Sequence, residues 1–258
     1  MTKRLFYIFG ILNYLIVLGL FLYLVGFVNN WIVPKSIDSG EPAGLLPSIA
    51  FNMVWVGLFA LQHSIMARPV FKKRWMRIIP KAIERSTYLL FTITALVLMI
   101  WLWQPMPQIV WKLTNPYIQI SLWIFNGLGW LLIFISTRLI NSAHFFGLQQ
   151  VKEHMRDKTL TAPQFQTPGF YQYTRHPMML GFLMAFWITP EMSMGRLFFA
   201  LLMTIYIILG VRYEEKDLIG HFGNRYRAYR QQVSMLIPGF RIGLKRKTPS
   251  EKPSAQSH

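Results

Sequence analysis

Apolar residues along the chain gather into five long runs, at residues 5–28, 45–66, 86–103, 118–140 and 177–211. A bilayer crossing takes about 20 residues as helix, and each run qualifies or nearly does. The last is too long for one span and is broken at Thr189-Pro190. That pattern predicts a short helix, a tight turn and then a full helix. The first arm holds about eleven residues, roughly 16 Å at the helical rise, and is expected to enter the bilayer without fully crossing it. The expected fold is an all-α polytopic integral membrane protein, with five spans plus a short helix that completes a C-terminal hairpin.

Polar residues bracket this hairpin. Tyr171, Tyr173, Arg175 and His176 precede it, and Glu214 and Glu215 close it. An out-and-back excursion returns the chain to its starting surface, so the two clusters should meet. Ionisable groups at the ends of membrane segments are costly and usually mark a functional site. The connection at residues 141–175 is long and polar, and loops of that length without evident structure are uncommon unless functional. Residues 212–238 read as helix broken at Gly223, folding back over the mouth of the hairpin.

Composition agrees with a membrane protein: 53% of the 258 residues are hydrophobic and only 14% are charged, against about 25% charged in soluble domains. The excess of 27 Lys and Arg over 10 Asp and Glu would suit nucleic acid, but its placement does not. Arg68, Lys72, Lys73, Arg74, Arg77, Lys81 and Arg85 crowd one connection, whereas the flanking ones carry only Lys35 and Lys112. This asymmetry follows the positive-inside rule. It puts both termini and the polar clusters on the cytoplasmic side, most simply of a bacterial inner membrane, with lipid rather than nucleic acid as partner. The first run is longer than a signal-peptide core and lacks a cleavage site, so it reads as an anchor. With no cysteine, disulfides, thiolate nucleophiles and cysteine metal sites are excluded. One domain is expected over residues 1–240, followed by a basic, disordered tail at 241–258.

Proline suits the first position of a helix, so Pro177 would hold Arg175 and His176 just outside a helix N-terminus, which favours negative charge. Two acids beside Tyr171, Tyr173, Arg175 and His176 suit a zwitterionic, partly cationic ligand. Interfacial anchoring by an Arg–Glu ion pair is the competing reading.

Arg175-His176-Pro177-x-x-x-Gly181, followed by Glu214-Glu215-x-x-Leu218-Ile219-x-x-Phe222-Gly223-x-x-Tyr226-x-x-Tyr229, resembles the isoprenylcysteine carboxyl methyltransferase and phospholipid methyltransferase superfamily. Three further stretches narrow the resemblance to its methanethiol S-methyltransferases. These are Gln62-His63-Ser64-x-Met66-Ala67-Arg68-Pro69-x-Phe71-Lys72, Glu84-Arg85-Ser86-Thr87-Tyr88, and His144-Phe145-Phe146-Gly147-Leu148-Gln149-Gln150. The resemblance implies S-adenosylmethionine as methyl donor and a small thiol as acceptor, methanethiol giving dimethyl sulfide. It maps the donor site onto Gln150, Tyr171, His176, Pro177, Met178, Met179 and one or both of Glu214 and Glu215. Met179 stands where the superfamily often has tyrosine, so that aromatic contact is either lost or supplied by Tyr173.

In this frame Glu214 or Glu215 holds the donor's amino group or ribose hydroxyls. Arg175 and the helix N-terminus take its carboxylate, and Tyr171, Tyr173 or Trp187 faces its sulfonium through a cation–π contact. A thiol attacks as thiolate, and His63 and His144, each near the end of an apolar span, are the candidate bases. A lone histidine at a helix end is more often a structural hydrogen-bonding residue, and the two could instead bind a metal that acidifies the thiol, although the sequence offers no definite third ligand. A prenylcysteine or phospholipid acceptor, or a non-enzymatic transporter, are the alternatives.

Overall fold

A computed structural model describes residues 2–140, 142–158 and 165–239. The tail at 241–258 and the side chain of His144 lie outside the described residues. The chain is a helical bundle: α1 (Thr2–Asn29), α2 (Leu45–Ala67), α3 (Pro69–Trp75), α4 (Glu84–Trp101), α5 (Pro116–Leu139), α6 (Ser142–Phe145), α7 (Leu148–Met155), α8 (Pro177–Trp187), α9 (Met194–Phe222) and α10 (Asn224–Gln232). Among the described residues, α1, α2, α4 with the turn before it, α5 and α9 are long and apolar enough to cross a membrane. The first four predicted runs match helices to within three residues at each end, and the fifth divides into α8 and α9, with α9 continuing eleven residues past it to Phe222.

The short arm is fixed by close packing on α5. A Cβ on Gly181 would sit 2.7 Å from the Gly129 carbonyl, and one on Gly129 would sit 2.9 Å from the Gly181 carbonyl. Only glycine allows this approach, the small-residue packing of membrane helices. Asn126 on α5 completes the joint, its amide donating to the carbonyls of Ala185 and Ile188 at 2.9 Å each. Asn52 likewise bonds the Gln104 backbone. Asn13 donates to Phe9 of its own helix.

The hairpin tip differs from expectation. A strand, β1 (Ile109–Lys112), lies in the α4–α5 connection and pairs antiparallel with β2 (Glu191–Ser193) at the tip. Leu113 N–H donates to Pro190 and Met194 N–H to Gln108. The tip therefore reaches the end of the bundle where α4 hands over to α5, whereas the first arm was expected to stop short. The chain leaves helix at Ile188 in an extended conformation. Extended residues advance more than 3 Å each against 1.5 Å in helix, which makes up the missing length.

Near this end stands Arg196, which the hydrophobic pattern conceals. It is 3% exposed and donates to the carbonyls of Val28, Ala185 and Phe186 at 3.1–3.3 Å. These lie at the C-terminal ends of α1 and α8, where helix dipoles favour a cation. Phe27, Trp103, Phe186 and Phe199 pack edge-to-face beside it with centroids 5.1–6.4 Å apart. Trp103 is fully buried in this core, and its indole N–H is satisfied by the Ile37 carbonyl. The 141–175 connection, read as a loop, contains α6, α7 and a 3-10 turn at Gly169–Gln172.

Candidate functional site

At the other end of the bundle the lead into α8 is held in extended form by the chain after α10. Arg175 N–H donates to Ser234 at 2.9 Å, and His176 N–H and the Thr174 hydroxyl donate to Met235. Pro177 opens α8, and the first intrahelical bond is Leu180 N–H to His176. The N–H groups of Met178 and Met179 thus have no intrahelical acceptor. Gly223, at φ +58°, lets the chain leave α9 and turn into α10, a backbone state glycine adopts without steric cost. α10 then lays Tyr226 and Arg230 back over α9.

Glu215 is the hub of this end. Its carboxylate, 6% exposed, accepts from Arg175 Nε at 2.5 Å. It pairs with Arg230 Nε at 3.1 Å and lies 3.4 Å from His176 Nε2 and 3.5 Å from the Tyr226 hydroxyl. This polar end of α9 lies beyond the apolar run that crosses the membrane. Burial alone would raise the Glu215 carboxyl, but hydrogen bonds from His176 and Arg175 and the charges of Arg175 and Arg230 hold it down at about 2. Arg175, itself buried, spends its remaining reach on the carbonyls of Arg230 and Val233, tying down the end of α10.

Glu214 is placed quite differently. Successive helical residues point about 100° apart, so while Glu215 turns into the hub, Glu214 keeps half its side chain in solvent. Its carboxylate lies 3.6 Å from His176 Nδ1. Tyr173 is 66% exposed. Tyr171 is half-buried, its carbonyl accepting from Tyr229, and burial pushes its phenol up. A cleft of about 290 Å³ opens beside Glu215, lined by Arg212, Lys216, Ile219 and Arg230.

A second polar cluster lies deeper, between α2, α4 and α9. The Tyr88 hydroxyl stands 3.0 Å from His63 Nδ1 and 2.9 Å from Nε2, and Thr92 Oγ1 is 3.3 Å from Nδ1. The Thr92 hydroxyl proton is committed to the Tyr88 carbonyl. Thr92 therefore accepts from Nδ1–H and leaves the lone pair on Nε2, a tautomer assigned from the hydrogen-bond pattern. Phe59 and Tyr206 flank the imidazole, with centroids 5.6 and 6.4 Å away.

Over 236 residues the sequence is 44% identical to methanethiol S-methyltransferase 1 of Bradyrhizobium diazoefficiens, covering 92% of this chain and 83% of that protein. It is 43% identical over 238 residues to methanethiol S-methyltransferase of Mycobacterium tuberculosis, covering 92% and 98% respectively. The chain belongs to the methanethiol S-methyltransferase family. Nurim of Bos taurus is similar at 31% identity over 183 residues, 66% of this chain and 70% of that protein. No family model and no solved structure matches significantly.

In this member of the methanethiol S-methyltransferase family, the structure gathers Tyr171, Arg175, His176, Pro177, Glu214 and Glu215 at one end of the bundle. Met178 and Met179 are half-buried against the core and offer backbone N–H groups rather than side chains. Gln150 lies on α7, whose main partners are α1 and the turn at Lys81–Ile83. His144 falls in α6, with its side chain outside the described residues. Trp187 sits at the far end of α8 and donates to Thr204, about 15 Å along the helix from Pro177. Sequence reasoning did not single out Arg230, Thr92 or Tyr206. Tyr88 and Tyr226 stood inside quoted motifs without a role.

Proposed function

We propose that this chain transfers the methyl group of S-adenosylmethionine to methanethiol, giving dimethyl sulfide and S-adenosylhomocysteine at the cytoplasmic face of a bacterial inner membrane. The observation that carries the reading is identity above 40%, across nine-tenths of the chain, to proteins named for that acceptor. The sidedness rests on the basic residues between α2 and α4, at the same end as Glu214 and His176.

The residues at that end fit a zwitterionic donor. Glu214, exposed and beside His176, holds the donor's ammonium. The Met178 and Met179 N–H groups at the start of α8 donate to its carboxylate, as helix N-termini do for anions. Tyr171 and Tyr173 lie where aromatic faces can meet the sulfonium. Arg175 and Glu215, already satisfied by each other, hold this arrangement rather than touch the ligand. The donor supplies an electrophilic methyl on a sulfonium, so the protein's work is alignment, water exclusion and charge placement. On the acceptor side, His63 Nε2 is the base that takes the thiol proton.

The test is purified protein in detergent with S-adenosylmethionine and methanethiol, read as headspace dimethyl sulfide and S-adenosylhomocysteine in equal amounts. Turnover with a prenylcysteine or phospholipid but not with methanethiol would overturn the acceptor. Absence of donor binding by calorimetry would overturn the enzyme reading altogether.

A further inference from the structure

Leu201, Ile205, Leu209, Arg212, Lys216 and Ile219 recur every three or four residues and so form one stripe along about five turns of α9. The first three are 45–55% exposed and point away from the buried residues Ile207, Val211 and Glu215. They mark the lipid-facing side of the helix. At Arg212 the same stripe turns from apolar to cationic, and Arg212 and Lys216 are both exposed. Arg212 stands about 4.5 Å and Lys216 about 10.5 Å beyond Leu209 along the axis. That is the depth of the headgroup layer, about 5–7 Å thick on each face of the hydrocarbon core, and both long side chains can snorkel within it.

The surface is concave at this level. α10 brings Arg230 alongside, and Arg212, Lys216, Ile219 and Arg230 line the cleft of about 290 Å³ together with Glu215. Glu215 does not make the cleft acidic. One of its oxygens is taken up by Arg175 Nε at 2.5 Å, so Arg230, 3.1 Å from the other, adds a charge in excess. Among the described residues neither Arg212 nor Lys216 has a carboxylate within 4 Å, whereas Lys3, Arg68 and Lys112 each do. Three cations thus meet in one cleft at the edge of the bilayer, around a carboxylate that Arg175 already balances.

We infer that this cleft seats the headgroup phosphate of an anionic phospholipid, whose acyl chains lie along Leu209, Ile205 and Leu201. A phosphodiester carries one negative charge on two unesterified oxygens, which match the planar forks of Arg212 and Arg230 and the point charge of Lys216. A choline or ethanolamine headgroup would bring its own cation into a cleft that already holds three. A headgroup without a cation is therefore selected, and basic pockets between membrane helices are a general means of binding such lipids. The bound lipid joins α9, through Arg212 and Lys216, to α10, through Arg230, and so holds α10 over the Glu215 hub. A lipid seat here stands whatever the acceptor of the methyl group.

The test titrates purified, delipidated protein in detergent with phosphatidylglycerol or phosphatidylcholine and counts bound lipid by native mass spectrometry. Wild type should bind phosphatidylglycerol at least tenfold more tightly than phosphatidylcholine. Arg212→Gln with Lys216→Gln should weaken phosphatidylglycerol binding at least tenfold. Lys73→Gln with Arg74→Gln, which removes the same charge from exposed positions on α3, should change it less than twofold. Without lipid the cleft double variant should melt within about 2 °C of wild type, as surface substitutions do, and phosphatidylglycerol should raise the melting temperature of wild type alone. Ile219→Glu, which adds a carboxylate to the cleft and removes no cation, should also weaken binding. Equal losses in the two double variants would overturn the seat in favour of diffuse charge attraction, and equal binding of the two lipids would overturn selection of an anionic headgroup. Excess inorganic phosphate that displaces the lipid and raises the melting temperature equally would make a free anion the ligand. Loss of S-adenosylmethionine affinity in the cleft double variant would make the cleft part of the donor site. Failure of the wild type to bind S-adenosylmethionine would instead sink the proposed function and leave the lipid result standing, so the two failures are distinguishable.

Discussion

Glu214 and Glu215 are adjacent and chemically identical, yet their surroundings predict opposite phenotypes. Replacing Glu215 with Gln keeps the shape but removes the charge that Arg175, Arg230 and His176 share. The carboxyl is held from an ordinary 4.5 down at about 2, and each unit of such a shift corresponds to about 1.4 kcal/mol. The charged form therefore contributes roughly 3 kcal/mol at neutral pH. Breaking a buried pair from one side costs about 3–5 kcal/mol by general experience, because Arg175 is left charged in a site it cannot leave. For a chain of this length about 2–4 °C of melting temperature goes with each kcal/mol, so Glu215→Gln should melt on the order of 10 °C lower. Glu214→Gln, half exposed, should melt within about 2 °C of wild type, since exposed pairs contribute about 0–1 kcal/mol. It should instead weaken S-adenosylmethionine binding tenfold or more, the loss of one charge-assisted hydrogen bond of about 1.5–3 kcal/mol. Thermal unfolding followed by tryptophan fluorescence in detergent, with calorimetry of donor binding, reads both. Equal melting losses in the two variants, or a Glu215→Gln protein as stable as wild type, would refute the division of labour.

The same hub sets an acid limit. Because the folded-state value of Glu215 lies below the unfolded one, its contribution is complete above about pH 4.5 and fades as pH falls toward 2, so wild-type melting should drop across that window while Glu215→Gln shows a flatter limb. Gly181→Val, which forces side-chain atoms into the Gly129 carbonyl and Ile133, should destabilise by about 1–3 kcal/mol and weaken donor binding with it, since α8 carries the proposed site; retained donor affinity would separate α8 packing from the site. Arg196→Met should destabilise by about 2–3 kcal/mol through its abandoned carbonyl partners, with the KM for methanethiol unchanged in folded protein. Lys112→Ala, which removes an exposed pair with Glu191, should shift melting by less than about 1 °C.

The spans were legible because lipid leaves a backbone few choices. A run of apolar residues must satisfy its own hydrogen bonds as helix, so run boundaries became helix boundaries. What was not legible depended on partners distant in sequence. Residues 109–112 become a strand only because the hairpin tip presents unpaired backbone beside them. Arg196 was hidden because three helix-end carbonyls, supplied from residues 28, 185 and 186, make a cation tolerable there. At the site, the spacing from Arg175 to Glu215 announced that the clusters meet. Which acid turns inward depends on the rotation of α9 against α8 and α10, which spacing does not contain. His63 stood out by its type, but Tyr206 did not, since one tyrosine in an apolar span carries no signal until the α2 surface is known.

On the proposed reaction, the two clusters along α9 match different requirements of the two substrates. A zwitterionic donor comes from water and must be held at a polar surface, so its residues cluster around a turn and a helix start. A small thiol must lose a proton to react, and on the same reading its base is His63, which the Tyr88 and Thr92 hydroxyls orient between α2, α4 and α9. One helix with two chemically distinct ends meets both needs. The polar end of α9 is anchored by Glu215, which lies with Ile207 and Val211 on the buried face of the helix, whereas Glu214 stays half exposed beside His176. Were Glu215 not satisfied internally, its charge would compete with Glu214 for the donor's ammonium. On that reading Arg175, Arg230 and His176, which hold the Glu215 carboxylate, do more than stabilise the fold: they leave Glu214 as the carboxylate open to the donor.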